Sequence, residues 1–274
     1  MAELAPPPTF LVLGFARNAT RWLRANLDRH PDVFAPPIDT GFFTDGDRMA
    51  ALGHRWYREQ FSDWRGQTLI GECSPSYLSL ANSPGHIADR IRKHLPGARL
   101  IAIVGNPCDR FQSALRHHVR WGRLPATPDV ERLYLAEVEP ELCFKEVSEG
   151  MQALSIDAYQ NRVGTSLLVL SMDDVRRDPA GVYRAALDHI GADPSFVPDD
   201  LGVARFSDRR VVDVADPSLE ARRRLYSWYR GDVELLGERM GQDLTGWDPG
   251  VSDDGMNSED LAAALMVYAA DGKG

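Results

Sequence analysis

The chain has 274 residues, of which 43% are hydrophobic, and a formal net charge of −9. This length can bury one large core, and the acidic balance argues against nucleic acids and anionic membranes as partners, since both need a broad basic surface. No apolar run reaches the ~18 residues of a membrane-spanning helix, and the N-terminus lacks the pattern of a signal peptide. Three scattered cysteines without metal-ligand spacing suit a reducing compartment. We therefore expect a cytoplasmic protein with no membrane span and no metal.

The first strongly patterned stretch predicts a strand, a loop and a helix in succession. Residues 10–13 form the apolar strand, residues 14–20 the loop, and residues 20–29 the helix. Backbone N–H groups and the positive end of the helix dipole meet at such a loop, so it attracts phosphate or sulfate. The loop lacks the Gly-Lys-Ser/Thr ending of ATP- and GTP-binding loops, which argues against a nucleotide kinase. A generic α/β turn with an incidental arginine is the alternative interpretation.

Later segments extend the pattern to a whole sheet. Strands are expected at residues 10–13, 33–35, 68–71, 100–104 and 166–170. The helical stretches between them predict an α/β fold, a three-layer sandwich around a central, mainly parallel sheet of five strands. Residues 127–142 are poorly periodic and predict an irregular excursion, whereas residues 146–163, 179–190 and 219–240 predict helices.

Four motifs along this pattern resemble the sulfotransferases that use 3'-phosphoadenosine-5'-phosphosulfate (PAPS), in particular bacterial and heparan-type members. They are the loop followed by His30-Pro31-Asp32-Val33-Phe34, the segment Glu72-Cys73-Ser74-Pro75-Ser76-Tyr77-Leu78, the segment Asn106-Pro107 with Asp109-Arg110 and Ser113, and the closing Gly246-Trp247. The resemblance extends over about residues 9–247. It implies a P-loop-like sulfotransferase domain over residues 1–247, followed by an acidic linker and a short helix over residues 248–274.

The resemblance also implies roles for individual residues. Glu72 is expected to be the general base toward the acceptor hydroxyl, and Arg17, which replaces the family's lysine, to stabilise charge on the leaving group. Gly105 stands where the family has an arginine for the 3'-phosphate, so other arginines are candidates to supply that charge. The expected donor-binding residues are Arg17, Asn18, Ala19, Thr20, Arg21, Ser113, Arg110, Arg209 and Arg210. Alternatives stay open for two of these residues: Glu72 could pair with backbone amides or an arginine, and the Ser113 hydroxyl could bond its own helix.

The implied reaction moves a sulfonyl group from PAPS to a hydroxyl of a small molecule or carbohydrate and releases 3',5'-ADP. A second interpretation follows from the substitutions, which remove most of the cations that relatives place on the donor: Arg17, Ala19, Ile38, Cys73 and Gly105. Such a chain could keep the fold and use its pocket for non-sulfonyl chemistry or for binding without catalysis. The sequence leaves open the acceptor, a homodimer, and the role of the last helix.

Overall fold

The structure is a computed structural model that describes residues 4–163, 167–201 and 214–250. The described chain forms two compact units: residues 4–105 with 155–201, and residues 106–154 with 214–250. The predicted C-terminal helix, Arg209 and Arg210 lie outside the described residues. The predicted domain over residues 1–247 and its tail stay predictions.

The secondary structure alternates strands and helices through most of the chain. In chain order the elements are β1 (Phe10–Gly14), α1 (Thr20–Leu27), β2 (Val33–Phe34), α2 (Gly46–Glu59), β3 (Leu69–Cys73), α3 (Pro84–His94), β4 (Arg99–Val104), α4 (Pro107–Arg120), α5 (Val130–Tyr134), α6 (Pro140–Ser148), α7 (Gln152–Val163), β5 (Leu167–Ser171), α8 (Met172–Arg177), α9 (Pro179–Ile190) and α10 (Leu219–Met240).

The first unit is built on a five-stranded sheet with the order β2-β3-β1-β4-β5. Every pairing in it is parallel, which confirms the predicted α/β fold class. All five residues of β1 are buried, as expected for the middle of a parallel sheet that is covered on both faces. The ring of Phe10 lies over Gly71 of β3, where a Cβ atom would collide with it.

The topology marks one place on this sheet for a ligand. After β1 the chain goes on to β2 and β3 on one side, and it later returns to β4 on the other side. The connections from β1 and from its two neighbours therefore diverge at the carboxyl end of β1. In open parallel sheets such a switch point is where ligands bind, and here the loop of residues 15–19 lies there.

Several element ends differ from the prediction by one or two residues, and three differences bear on the site or on the helices. Strand β3 continues through Cys73, so Glu72 lies within the strand and not beyond its end. The excursion at residues 127–142 contains α5 and the start of α6, and the predicted helix at residues 146–163 is interrupted between α6 and α7. Within this interruption the backbone of Gly150 contacts the ring of Tyr229, which leaves no room for a Cβ atom.

The second unit is helical, and side-chain caps fix where its helices begin. The Asn106 side chain accepts a hydrogen bond from the Cys108 amide at 3.0 Å, and Pro107 takes the first helical position of α4. Asp232 of α10 accepts hydrogen bonds from the first amides of α7, at 2.7 Å for Gln152 and 3.0 Å for Ala153. These bonds satisfy amides that have no partner within their own helix.

Candidate active site

The loop after β1 is a tightly bonded backbone turn. Gly14 has φ 150°, and a Cβ atom there would lie 3.1 Å from the Pro75 carbonyl oxygen, so only glycine fits this approach. The Phe15 amide donates to the Ile103 carbonyl at 3.1 Å, and the Asn18 amide donates to the Phe15 carbonyl at 3.1 Å. The loop is thereby fixed to β4 before α1 begins.

The start of α1 keeps the character of an anion-binding site. Its cap residue, Ala19, has a left-handed backbone with φ 52° and forms no side-chain cap to the first helical turn. Amides without a side-chain cap at a helix start can bind the oxygens of a phosphate or sulfate ester. Arg17, at φ 76°, is half-buried in the loop, and Arg21 in the first turn is exposed. The predicted residues 17–21 therefore surround this helix start, with Asn18, Ala19 and Thr20 buried.

Gly105, which follows β4, has little space beside it for a side chain. A Cβ atom there would lie 3.0 Å from the Cβ of Met172 and 3.2 Å from Oδ1 of Asn18. The Asn18 side chain turns inward and donates from Nδ2 to the Ile103 carbonyl at 3.1 Å. An arginine at this position, as expected from the resemblance, would require both Asn18 and Met172 to shift slightly.

Glu72 lies at the centre of a buried hydrogen-bond network. Its Oε1 accepts from the hydroxyls of Thr40 at 2.5 Å, Ser74 at 2.5 Å and Tyr77 at 3.0 Å, and from the Thr40 amide at 3.3 Å. Its Oε2 accepts from the Tyr57 hydroxyl at 2.5 Å. A carboxylate has about four lone-pair sites, so protein groups already occupy its accepting capacity.

Burial raises the pKa of Glu72, while the hydrogen bonds from Ser74, Thr40, Tyr57 and Tyr77 oppose that rise. None of those partners carries a positive charge. The carboxyl group is 1% exposed, inside the sheet edge and not beyond it. The sequence predicted neither Thr40 nor Tyr57 as a partner, since neither lies near Glu72 along the chain and no motif links them.

Ser74 connects the buried Glu72 to an exposed carboxylate. Its Oγ lies 2.5 Å from Glu72 Oε1 and 2.7 Å from Oδ1 of Asp39, which is exposed beyond the end of β2. One hydroxyl has one proton, so both contacts are hydrogen bonds only when one of the two carboxyl groups is protonated. Ser74 therefore links the two carboxyl groups through a single hydroxyl.

The structure corrects the expectation that Arg110 binds the donor. Its guanidinium is 2% exposed in the second unit, where Nη1 contacts Glu146 Oε2 at 3.1 Å and Nη2 donates to the Glu146 carbonyl. His118 Nε2 lies 2.9 Å from the other oxygen of the same carboxylate. Arg110 is buried in an ion pair within α4 and α6, so it is not available for a phosphate.

The remaining site predictions stay untested. Ser113 lies half-buried on α4, and Arg209 and Arg210 fall outside the described ranges. Within residues 4–163, 167–201 and 214–250, no group of three or more His, Cys, Asp or Glu side chains has an arrangement that could hold a metal ion. In the same ranges, no helix is both long and apolar enough to cross a lipid bilayer.

A parallel sheet with an amide-lined loop after its central strand is typical of α/β proteins that bind phosphate or sulfate esters. Similarity to known proteins narrows this class. The chain is 28% identical over 187 residues to heparan sulfate glucosamine 3-O-sulfotransferase 6 of Homo sapiens, covering 67% of this chain and 52% of that protein. It is 28% identical over 127 residues to the membrane-associated sulfotransferase kil1 of Dictyostelium discoideum, covering 45% of this chain and 26% of that protein. No family model matches.

Solved structures show the same fold. A sulfotransferase from Alicyclobacillus acidocaldarius superposes with a TM-score of 0.73 at 24% identity, covering 89% of this chain and 99% of that one. The sulfotransferase domain of the Synechococcus PCC 7002 olefin synthase gives 0.54 at 20% identity, covering 88% and 97%. The chain is thus similar to sulfotransferases in sequence and in fold, which confirms the resemblance. It spans about half or less of the length of these two curated relatives.

Proposed function

We propose that this chain is a transferase that moves a sulfonyl group from PAPS to a hydroxyl of a small molecule or carbohydrate. The main support is the start of α1, where amides without a side-chain cap and the loop residue Arg17 form a positive site at the switch point of the sheet. The donor's sulfated end fits this site, because its oxygens accept hydrogen bonds from such amides. When bound, PAPS supplies the sulfonyl group and leaves as 3',5'-ADP.

The residues of the loop stabilise charge and do not transfer protons. An arginine keeps its proton at any ordinary pH, so Arg17 acts as a fixed cation beside the leaving group. The amides of residues 19 and 20 add dipoles that are already oriented, which is the least costly way to stabilise charge that develops during the reaction. Slower turnover than in a lysine-bearing relative follows, since arginine cannot donate a proton to the leaving oxygen.

Two carboxyl groups share the acid–base role in this proposal. Glu72 was the base expected from the resemblance, but its burial and its saturated oxygens favour a positioning role. Asp39 is exposed and accepts the Ser74 hydroxyl, so it is the better candidate to take the acceptor's proton. Glu72 then positions Ser74 by a hydrogen bond, and Ser74 in turn positions Asp39.

Ligand binding tests the donor assignment. At about a hundred times its dissociation constant, 3',5'-ADP should stabilise the folded chain by ~2.7 kcal/mol, measured as a raised melting temperature. Arg17→Ala should weaken this effect, whereas Arg55→Ala, an exposed arginine of α2, should not. The absence of any shift at millimolar nucleotide would contradict PAPS as the donor.

Asp39→Asn and Glu72→Gln separate the two carboxyl groups. If Asp39 is the base, its substitution should lower kcat by about 10²- to 10⁴-fold in transfer to the best acceptor from a panel of hydroxyl compounds, with nucleotide binding unchanged. Glu72→Gln should lower kcat less. Unchanged turnover in Asp39→Asn, together with a well-folded but inactive Glu72→Gln, would restore Glu72 as the base.

The second candidate function is a sulfotransferase fold with a repurposed pocket. Two observations favour it: Asn18 and Met172 fill the space beside Gly105, and Arg110 is paired with Glu146. Both remove cations that the resemblance would place on the donor's 3'-phosphate. This alternative predicts no stabilisation by 3',5'-ADP, so the same melting experiment decides between the two functions.

A further inference from the structure

Arg24 brings a second cation to the carboxyl edge of the sheet in the first unit. It lies in the second turn of α1, and helical side chains lean back toward the N-terminus of their helix. Its Nη1 donates to the Ala35 carbonyl at 2.7 Å, one residue beyond the end of β2. The guanidinium therefore lies at the edge where the loop after β1 also lies, and not over the middle of the sheet.

The charge of Arg24 also acts on Cys73, the last residue of β3. Burial raises the pKa of the Cys73 thiol to about 12; the Asp39 carboxylate adds to that rise, and the Arg24 guanidinium opposes it. Both charges therefore act at the end of this strand. The thiol stays neutral at ordinary pH, so it does not neutralise Arg24. Among the described residues, Arg24 has no carboxylate within ion-pair distance.

We propose that Arg24 binds the transferred sulfonyl group, supplying at the ends of β2 and β3 the positive charge that Ile38 and Cys73 do not carry. This inference rests on the proposed function and deepens it. The half-buried guanidinium has more donors than its one hydrogen bond to the Ala35 carbonyl uses, and sulfonyl oxygens match its fork of donors. In this proposal Arg24 contacts the sulfated end of PAPS and does not contact its adenosine.

A structural role for Arg24 is the competing explanation, and the chain provides a matched control for it. Asp28, one turn further along α1, accepts a hydrogen bond from the Ala35 amide at 2.8 Å. Arg24 and Asp28 thus hold the two backbone groups of one residue. Asp28→Ala weakens the attachment of Ala35 to α1 but leaves the Arg24 charge in place.

The test compares two nucleotides on the full chain by isothermal titration: PAPS, which has the sulfonyl group, and 3',5'-ADP, which lacks it. Arg24→Gln should weaken PAPS binding about 10- to 100-fold, the loss expected for one charge-assisted contact, and change 3',5'-ADP binding less than about threefold. Arg24→Lys should recover most of the loss. Asp28→Ala should leave the preference for PAPS intact.

Three results would overturn the inference. If Arg24→Gln binds PAPS as the wild type does, Arg24 does not contact the sulfonyl group, while the proposed function stands. If Arg24→Gln and Asp28→Ala weaken both nucleotides alike, Arg24 is a structural clamp. If neither nucleotide binds the wild type, the proposed function itself fails. Circular dichroism and melting of each variant without nucleotide show whether it folds. If Arg24→Gln does not fold, the comparison of PAPS and 3',5'-ADP on Arg24→Lys still decides the question.

Discussion

Two buried carboxyl groups, one in each unit, have opposite surroundings. Glu72 is bonded to hydroxyls and an amide, and burial raises its pKa. Burial acts in the same direction on Glu146, but the hydrogen bond from His118 and the charge of Arg110 outweigh it and lower the pKa of Glu146 to about 2. The two sites thus bury the same functional group but shift its pKa in opposite directions.

The different surroundings of the two carboxyl groups suit different roles, one in stability and one in proton transfer. A carboxylate neutralised by an arginine and held by a histidine is stable and inert, because no proton leaves or joins it at ordinary pH. A carboxyl group surrounded by hydroxyls can change its protonation with little rearrangement, since each hydroxyl can donate or accept. The network around Glu72 therefore suits proton handling, and the pair around Glu146 suits the stability of its helices.

The largest expected effect is at the ion pair. Arg110→Ala strands the Glu146 carboxylate in a buried site and should lower the free energy of unfolding by about 3–5 kcal/mol, measured by urea denaturation. Arg116→Ala is the matched control, because Arg116 pairs with Asp216 at the surface, where such pairs contribute at most about 1 kcal/mol. A loss in Arg110→Ala no larger than in the control would show that Glu146 is not held by charge.

The hydroxyl network should respond more modestly. Tyr57→Phe removes the donor to Glu72 Oε2 and should lower the free energy of unfolding by about 1–3 kcal/mol. In Tyr159→Phe, the lost hydrogen bond joins a buried tyrosine to the neutral Tyr77 carbonyl at 3.0 Å, and about 0.5–1.5 kcal/mol is expected. Equal losses in the two variants would argue that the hydrogen bond from Tyr57 to Glu72 contributes no more to stability than one to a backbone carbonyl.

The smallest but most distinctive effect is on the pH dependence of stability. The folded pKa of Glu146 lies below its ordinary value of 4.5, so its contribution is present above pH 4.5 and is lost as the pH falls toward about 2. Glu72 has a raised pKa, so its contribution is present below pH 4.5 and is lost as the pH rises.

The advantage of the wild type over Glu146→Gln in free energy of unfolding should therefore shrink as the pH falls. Its advantage over Glu72→Gln should shrink as the pH rises. Urea unfolding of the three proteins at several pH values measures both differences. Parallel pH profiles for the two substitutions would contradict the opposite pKa shifts of the two groups.

Sequence patterns predicted the elements whose ends are marked by local chemistry. Helix α9 has the predicted bounds because Asp178 caps it and Gly191 closes it with a left-handed backbone. Helix α10 likewise begins at its Ser218 cap and ends before Gly241. Such capping signals depend on a few residues that are neighbours in the sequence, so they can be recognised without knowledge of the fold.

The site was predictable only where it is local. The loop after β1 could be located from its strand and helix, and Glu72 from its motif. The ion pair of Arg110 could not be predicted from the sequence, because its partner Glu146 lies 36 residues away on another helix. Tyr57 was hidden for a similar reason: Gly53 breaks α2 with φ 74°, which disturbs the helical periodicity from which its orientation would be read.

The contact of Gly105 with Asn18 and Met172 constrains how this protein can change. An arginine introduced at position 105 alone would meet the loop at its first side-chain carbon. A shorter residue at position 18 would relieve only one of these contacts, because the Cβ of Met172 would remain at 3.0 Å, and it would give up the hydrogen bond that ties the loop to β4. Laboratory evolution that introduces a cation at position 105 should therefore also shift the backbone at the start of α8.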